Sequence, residues 1–172
     1  RLIMPRELLI LRHAKSAWDT GAPSDFQRPL SPRGEKTAPR VGRWLAEQGL
    51  RPDHVVSSPA ERARQTVLAV CGELGFDAAR ISWDQRVYGA WPRTLINLLR
   101  ETPDEVGRAL IAGHNPGLED LVRTLCGGRV RVPADGKLMP TAAVARLEIA
   151  VPWPDLEPGC AELLSLTRPR DL

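Results

Sequence analysis

Two histidines in this chain stand directly after short apolar runs. Arg12-His13 follows Leu8-Leu9-Ile10-Leu11, and Gly113-His114-Asn115 follows residues 108–112. Such runs read as buried strands. Ligands on open α/β sheets bind outside the carboxyl ends of the strands, so an imidazole beside a fixed cation at such an end suits phosphate chemistry. A third segment, Ser57-Ser58-Pro59-Ala60-Glu61-Arg62-Ala63-Arg64-Gln65-Thr66, follows the short run His54–Ser57. If the three strands are parallel neighbours, their ends bring two imidazoles and at least two guanidiniums to one crevice. These segments contain no acidic cluster, so no metal cage is implied. Guanidinium forks match the oxygens of a dianionic phosphoryl group. A neutral imidazole can attack phosphorus in line while a backbone carbonyl holds its other nitrogen. Fixed cations would stabilise the charge that gathers on the equatorial oxygens.

The elements that must position these groups alternate along the chain. Strands are expected at 8–11, 54–57, 81–83, 108–112, 142–149 and 161–167. Helices are expected at about 33–49, 59–74, after Pro92, and at about 116–126. Residues 14–32 and 129–140 read as loops, and 152–159 as a Pro-rich turn. This order predicts an α/β fold, a three-layer αβα sandwich on a mostly parallel sheet with an antiparallel edge near the C-terminus. The period of two in 142–149 suggests that this segment is a half-exposed edge strand. Ser31-Pro32, Ser58-Pro59 and Asn115-Pro116 each place a capping side chain before Pro at a first helical position. Ser58 with Glu61 also fits a capping box. Two of these helix starts follow strands directly, so their free N–H groups would face the crevice.

The bulk properties bound the function classes. The chain has 172 residues, the size of one domain, and 1–172 is expected to form a single one. Its 42% hydrophobic content suffices for a core, and 26% charged residues do not indicate disorder. A net charge of +3 mildly favours anionic ligands, but no basic stripe or reader motif points to nucleic acid. Cys71, Cys126 and Cys160 are odd in number and far apart, which argues against a disulfide framework or zinc site and suits a reducing cytoplasm. No stretch approaches the roughly 20 apolar residues of a membrane span, and no secretory signal is visible. Residues ahead of Met4 carry no structural weight.

Four ordered motifs carry a family resemblance: Leu-Arg-His-Ala-Lys-Ser at 11–16, Arg-Pro-Leu-Ser-Pro-Arg-Gly at 28–34, Ser-Ser-Pro-Ala-Glu-Arg-Ala-Arg-Gln-Thr at 57–66 and Gly-His-Asn-Pro at 113–116. With these the chain resembles the histidine phosphatase (phosphoglycerate mutase-like, RHG) superfamily, and within it the small SixA-type phosphohistidine phosphatases, over about residues 7–167. The resemblance implies that His13 is the nucleophile and that Arg12, Arg62 and His114 cradle the phosphoryl oxygens. It adds Arg28 as a further phosphate contact, with Ser16 and Asn115 as weaker polar candidates. No cofactor or metal is implied. The implied partner is a phosphorylated substrate, which could be a phosphohistidine-bearing protein.

The chain departs from the superfamily pattern in three places. Ala14 stands where the superfamily name has Gly. In Val87-Tyr88-Gly89-Ala90, Gly89 takes the place where members often carry an acid after the Tyr. Asp19 and Asp25 in the first loop remain candidates for that acid. A leaving alkoxide needs an acid, whereas a phosphohistidine ring nitrogen can be protonated beforehand, so the departure favours SixA-type chemistry. Residues 66–107 also leave no room for the long helical cap of larger relatives, and an open pocket could admit a protein-borne phosphohistidine. Two alternatives stay open: a nucleotide or small-molecule phosphomonoester phosphatase, and a phosphate-binding regulatory module without turnover. Arg64 reads as an ordinary surface residue, His54 as structural, and Trp18, Trp44 and Trp83 as core or pocket wall.

Overall fold

The apolar run that precedes His13 is buried on both faces. Residues 5–172 are described by the computed structural model, so the segment ahead of Met4 lies outside the described residues. The first strand, β1 (Arg6–Arg12), carries Leu8, Leu9, Ile10 and Leu11 without solvent exposure. Successive side chains on a strand point to opposite faces, so Leu8 and Ile10 enter one core and Leu9 and Leu11 the other.

Two helices close each face. On the Leu9 side, α1 (Pro32–Glu47) contributes Ala38, Val41 and Leu45, and α2 (Glu61–Leu74) contributes Val67, Val70 and Leu74. On the Leu8 side, α3 (Pro92–Leu99) brings Leu95 and Leu99, and α4 (Gly117–Leu125) brings Leu118, Leu121 and Val122. These residues recur at helical spacing, the signal from which the helices were expected.

Between the helix layers lies a six-stranded sheet. The other strands are β2 (His54–Ser57), β3 (Ser82–Trp83), β4 (Arg108–Gly113), β5 (Val144–Ile149) and β6 (Ala161–Thr167), in the order β3-β2-β4-β1-β5-β6. The pairs β1–β4, β2–β4 and β2–β3 are parallel, while β1–β5 and β5–β6 are antiparallel. This is the three-layer α/β sandwich expected from the sequence. Polar Glu7 is nevertheless part of β1, because its carboxylate lies between Arg108 on β4 and Arg146 on β5.

Three expectations need correction. β5 is not the edge strand: it pairs with β1 on one side and β6 on the other, and β6 is the edge. Its alternation arises because Arg146 and Glu148 are only partly covered, while Ala145, Leu147 and Ile149 enter the core. Alternation reports which face of a sheet is wet, not which strand lacks a neighbour. Second, α2 begins at Glu61 with Ala60 at its cap and α4 at Gly117 with Pro116 at its cap, neither with a side-chain cap. Only Ser31 caps as expected, accepting from Gly34 N–H at 3.1 Å. Glu61 closes no capping box, since its carboxylate pairs with Arg64, which leaves Arg64 an ordinary surface residue. Third, Trp83 is exposed rather than core or pocket wall, whereas Trp18 lines a cavity and Trp44 packs on the core; the tryptophan filling the core is Trp153, whose indole N–H reaches the Val106 carbonyl at 2.9 Å.

All three cysteines are buried and unpaired. Among the described residues no helix is long and apolar enough to cross a membrane.

The start of α1 presses against the segment that carries His13. A Cβ on Gly34 would lie 2.1 Å from the Lys15 carbonyl oxygen. Gly34→Ala is therefore expected to lower stability by about 1–3 kcal/mol through overpacking. Gly72 in α2 has open space at its Cβ, so Gly72→Ala is expected to stabilise by about 0.4–1 kcal/mol. Urea unfolding midpoints of the two variants check this, and equal effects would contradict it.

Candidate functional site

The parallel register brings the three motif segments together. Arg12 on β1 lies opposite Gly113 on β4, and Ala112 on β4 lies opposite Ser57 on β2. The ladder runs one residue further on each side: His13 N–H donates to the Gly113 carbonyl at 3.1 Å, and Ser58 N–H to the Ala112 carbonyl at 3.0 Å. His13, His114 and Ser58 thus stand side by side at the carboxyl edge, where α2 and α4 also begin.

His13 is 5% exposed. Its Nδ1 lies 2.7 Å from the Ala14 carbonyl oxygen. A carbonyl only accepts, so Nδ1 carries the proton and Nε2 keeps its lone pair. Burial pushes the His13 pKa down to about 4, with Arg12, Arg62 and Arg28 reinforcing the shift against the Ala14 hydrogen bond. The ring is therefore neutral at pH 7. The segment is braced from α2, where Thr66 Oγ1 accepts from Ala14 N–H at 3.0 Å and donates to the Arg62 carbonyl at 2.7 Å.

The His114 ring lies 5.2 Å from that of His13, tilted by 50°. Its Nε2 is 2.8 Å from Ser58 Oγ, while Nδ1 is buried without a partner. Burial, with help from His13 and Arg62, lowers its pKa to about 3. Ser58, read from the sequence as a helix cap, is instead the partner that orients His114. If Ser58 donates to Nε2, the Nδ1–H is left free to donate to an anion. Tyr88 packs edge-on against the other side of the ring at 5.4 Å.

The arginines are held from behind. Arg12 Nη1 donates to the Met139 carbonyl at 3.1 Å. Arg62 donates through Nη1 to the Asp25 carbonyl at 2.7 Å and through Nη2 to Asp25 Oδ2 at 3.0 Å. Arg28 bonds Ser16 Oγ and the Ala17 carbonyl, pairs with Asp25 Oδ1 at 3.2 Å, and stacks 3.8 Å over the Trp18 ring. Arg12 Nε and Arg62 Nε, like His114 Nδ1, are buried and unpartnered. Leaving a buried donor unsatisfied costs about 1–3 kcal/mol, so three of them around one crevice suit an anion with several acceptor oxygens. Arg6 Nε and Arg108 Nε are also unpartnered, but they belong to the opposite, amino ends of β1 and β4.

The remaining sequence candidates fall into different places. Ser16 is buried and occupied by Arg28. Asn115 Nδ2 donates to the Met139 carbonyl at 2.8 Å, which ties the His114 turn to the carbonyl that holds Arg12. That bond and a cis Asn115–Pro116 peptide replace the expected cap. Asp25 enters the site, where its carboxylate meets Arg62, Arg28 and the Tyr88 hydroxyl at 2.8 Å. The Tyr88 hydrogen bond first, then Arg28 and Arg62, hold its pKa at about 2. It is an ionised brace for two guanidiniums rather than a stored proton. Asp19 is exposed and lines, with Trp18, Asp25 and Arg28, a neighbouring cavity of about 340 Å³.

Sequence reasoning missed the roles of Ser58, Thr66, Tyr88 and the Met139 carbonyl. Ser58 had a signal, its place in the third motif, but a serine before proline reads equally well as a cap. A backbone carbonyl supplied from residue 139 has no sequence signature.

The family model for the histidine phosphatase superfamily (branch 1) matches residues 8–128, and the chain belongs to that superfamily. Within it the chain is of the SixA type. It is 38% identical over 164 residues to Uncharacterized protein Rv1276c of Mycobacterium tuberculosis (strain ATCC 25618 / H37Rv), covering 93% of this chain and 100% of that protein. It is 30% identical over 123 residues to the phosphohistidine phosphatase SixA of Escherichia coli (strain K12), covering 71% of this chain and 75% of that one. Among solved structures it superposes on the putative phosphohistidine phosphatase SixA from Agrobacterium tumefaciens with a TM-score of 0.79 at 27% identity, covering 96% and 99% of the two chains. The protein is accordingly a hydrolase of the phosphatase class.

Two outcomes are expected. Nitrogen-detected NMR of the histidine rings should show both site imidazoles neutral at pH 6, with the His13 proton on Nδ1 and titration near pH 4. An unfolded histidine titrates near 6.5, so below that pH the unfolded chain binds more protons than the folded one. Stability is then lost as pH falls from about 6.5 toward 4 and is regained as pH rises. Titration of His13 near 6.5 would contradict this. Ser58→Ala should mix the His114 tautomers and lower kcat/KM about tenfold, or about 1.4 kcal/mol. An unchanged His114 spectrum would remove Ser58 from that role.

Proposed function

We propose that this chain is a metal-independent phosphohistidine phosphatase that works through a phosphoryl intermediate on His13. The observation that carries the reading is a buried, neutral His13 with Nδ1–H on the Ala14 carbonyl and Nε2 unprotonated, beside guanidinium and imidazole donors that lack partners. The guanidiniums of Arg12, Arg28 and Arg62 suit an anionic phosphoryl group and repel a divalent cation.

The reaction follows from these atoms. Arg12 Nε–H, Arg62 Nε–H and His114 Nδ1–H donate to the phosphoryl oxygens, with Arg28 adding positive charge. His13 Nε2 attacks phosphorus in line, its lone pair forming the new N–P bond while the bond to the leaving nitrogen breaks. The leaving imidazole, protonated on its other nitrogen beforehand, departs neutral. Water then attacks the phosphorus on His13, the N–P bond breaks, and orthophosphate leaves as Nε2 recovers its lone pair and the water proton passes to phosphate or solvent. Fixed donors contribute most where charge builds up, and losing one commonly costs about 10²–10³ in kcat.

Two features support a phosphohistidine leaving group. Gly89 supplies no acid, and Asp25, held at about 2, has no proton to give at pH 7. The site mouth also suits a protein-borne substrate. Between α2 and β4 only β3, α3 and short turns intervene, and Trp18, beneath Arg28, stands 68% exposed.

Acid-quench trapping after brief reaction with a ³²P-labelled phosphohistidine protein should place label on His13, and His13→Ala should abolish both label and turnover. Substrate profiling should rank phosphohistidine above nucleotides and sugar phosphates. Faster turnover of a nucleotide or sugar phosphate would replace the substrate assignment, and turnover without labelled His13 would overturn the intermediate.

A further inference from the structure

On the far side of the segment that carries His13, outside the reaction just described, a second cavity of about 420 Å³ is walled by cations. Lys15 enters it from the segment after His13, Arg33 and Arg40 from one side of α1, Lys137 from the 129–143 loop, and Arg168 and Arg170 from the C-terminal turn. The one carboxylate in the wall, Asp135, is already engaged by Arg168 at 2.8 Å and Arg170 at 3.6 Å. Among the described residues, Lys15, Arg33, Arg40 and Lys137 form none of the ion pairs found within 4.0 Å. Thr37 and Thr141 add hydroxyls between them.

Like charges gathered on one concave surface repel one another, and an anion seated among them relieves that repulsion. Several chain segments contribute, so the arrangement depends on the tertiary fold and not on a basic run in the sequence. Its volume falls in the range of small-molecule sites, about 300–1,000 Å³. A concave wall to which four chain segments bring cations fits a compact ligand better than a flat protein face. We propose that this cavity is a second anion site, distinct from the His13 crevice, that takes a compact ligand bearing two or more phosphate groups.

The two sites share a wall. Met139, whose carbonyl holds Arg12 and Asn115, directly precedes Pro140 and Thr141 of the cavity, and Ala142 N–H donates to the His13 carbonyl at 3.0 Å. Lys15 is tied instead to the start of α1, the helix that carries Arg33 and Arg40, through its carbonyl, which accepts from Ser31 N–H at 2.9 Å. The proposal does not depend on His13 being the nucleophile.

The test is an NMR titration of the intact chain with methylenediphosphonate, which has no P–O–P bond to split, at fixed ionic strength of about 0.15 M. The amides of Thr37, Lys137 and Thr141 should follow one saturable isotherm. Arg33→Ser combined with Arg40→Ser should weaken it about tenfold or more, with turnover of a small phosphoryl substrate within about twofold. Arg93→Ser with Arg123→Ser, an equal charge change elsewhere, should leave the isotherm unchanged. Shifts confined to residues 12–14 and 113–115, or an equal loss in the control variant, would overturn the proposal. Tighter binding of an octaglutamate peptide than of the bisphosphonate in the same cavity would overturn it in favour of an acidic protein segment.

Discussion

The parallel pairing of β1, β4 and β2 is the constraint on which the site depends. A one-residue slip of a strand turns every side chain to the other face, so the burial of Leu8 through Leu11 on two different cores pins the register of β1. With the register pinned, His13, His114 and Ser58 must emerge beside one another. The two extra ladder bonds beyond the strand ends, to the Gly113 and Ala112 carbonyls, hold them there. The hydrophobic core thereby sets the spacing of the polar site.

The site concentrates positive charge where water is scarce, and the structure manages this in two ways. Burial keeps both imidazoles uncharged, so they do not add to the guanidiniums. Asp25, supported by Tyr88, lies between Arg62 and Arg28 and offsets part of their charge. What remains is a group of buried N–H donors without partners, on Arg12, Arg62 and His114. Such a group costs stability in the empty protein and becomes favourable when an oxyanion arrives. A carboxylate that served as proton donor would have to give up this ionised state, and its partners oppose that.

Much of this could be read from the sequence because two local codes reinforce each other. Apolar periodicity placed the strands and helices, and the four motifs named Arg12, His13, Arg62 and His114. The structure brings the two imidazoles to 5.2 Å and surrounds them with the arginines. The misreadings came where one residue type serves two purposes. Ser58 before a proline looks like a cap but turns to His114, and Asn115 before a proline turns to the Met139 carbonyl. Asp25 stayed a candidate acid in the sequence because the guanidiniums and the phenol that hold it ionised come from residues 28, 62 and 88.

The sequence by itself determined the layers, the strand ends that carry chemistry and the family, because burial patterning and short contiguous motifs are local properties. Only the tertiary structure decided which groups are charged, which donors are left unpaired, and where β5 sits in the sheet. Those depend on partners distant in the chain: the Met139 carbonyl behind Arg12, Asp25 behind Arg62, Ser58 behind His114. Protonation and hydrogen bonding are set by what lies within a few ångströms, and only folding brings those residues that close.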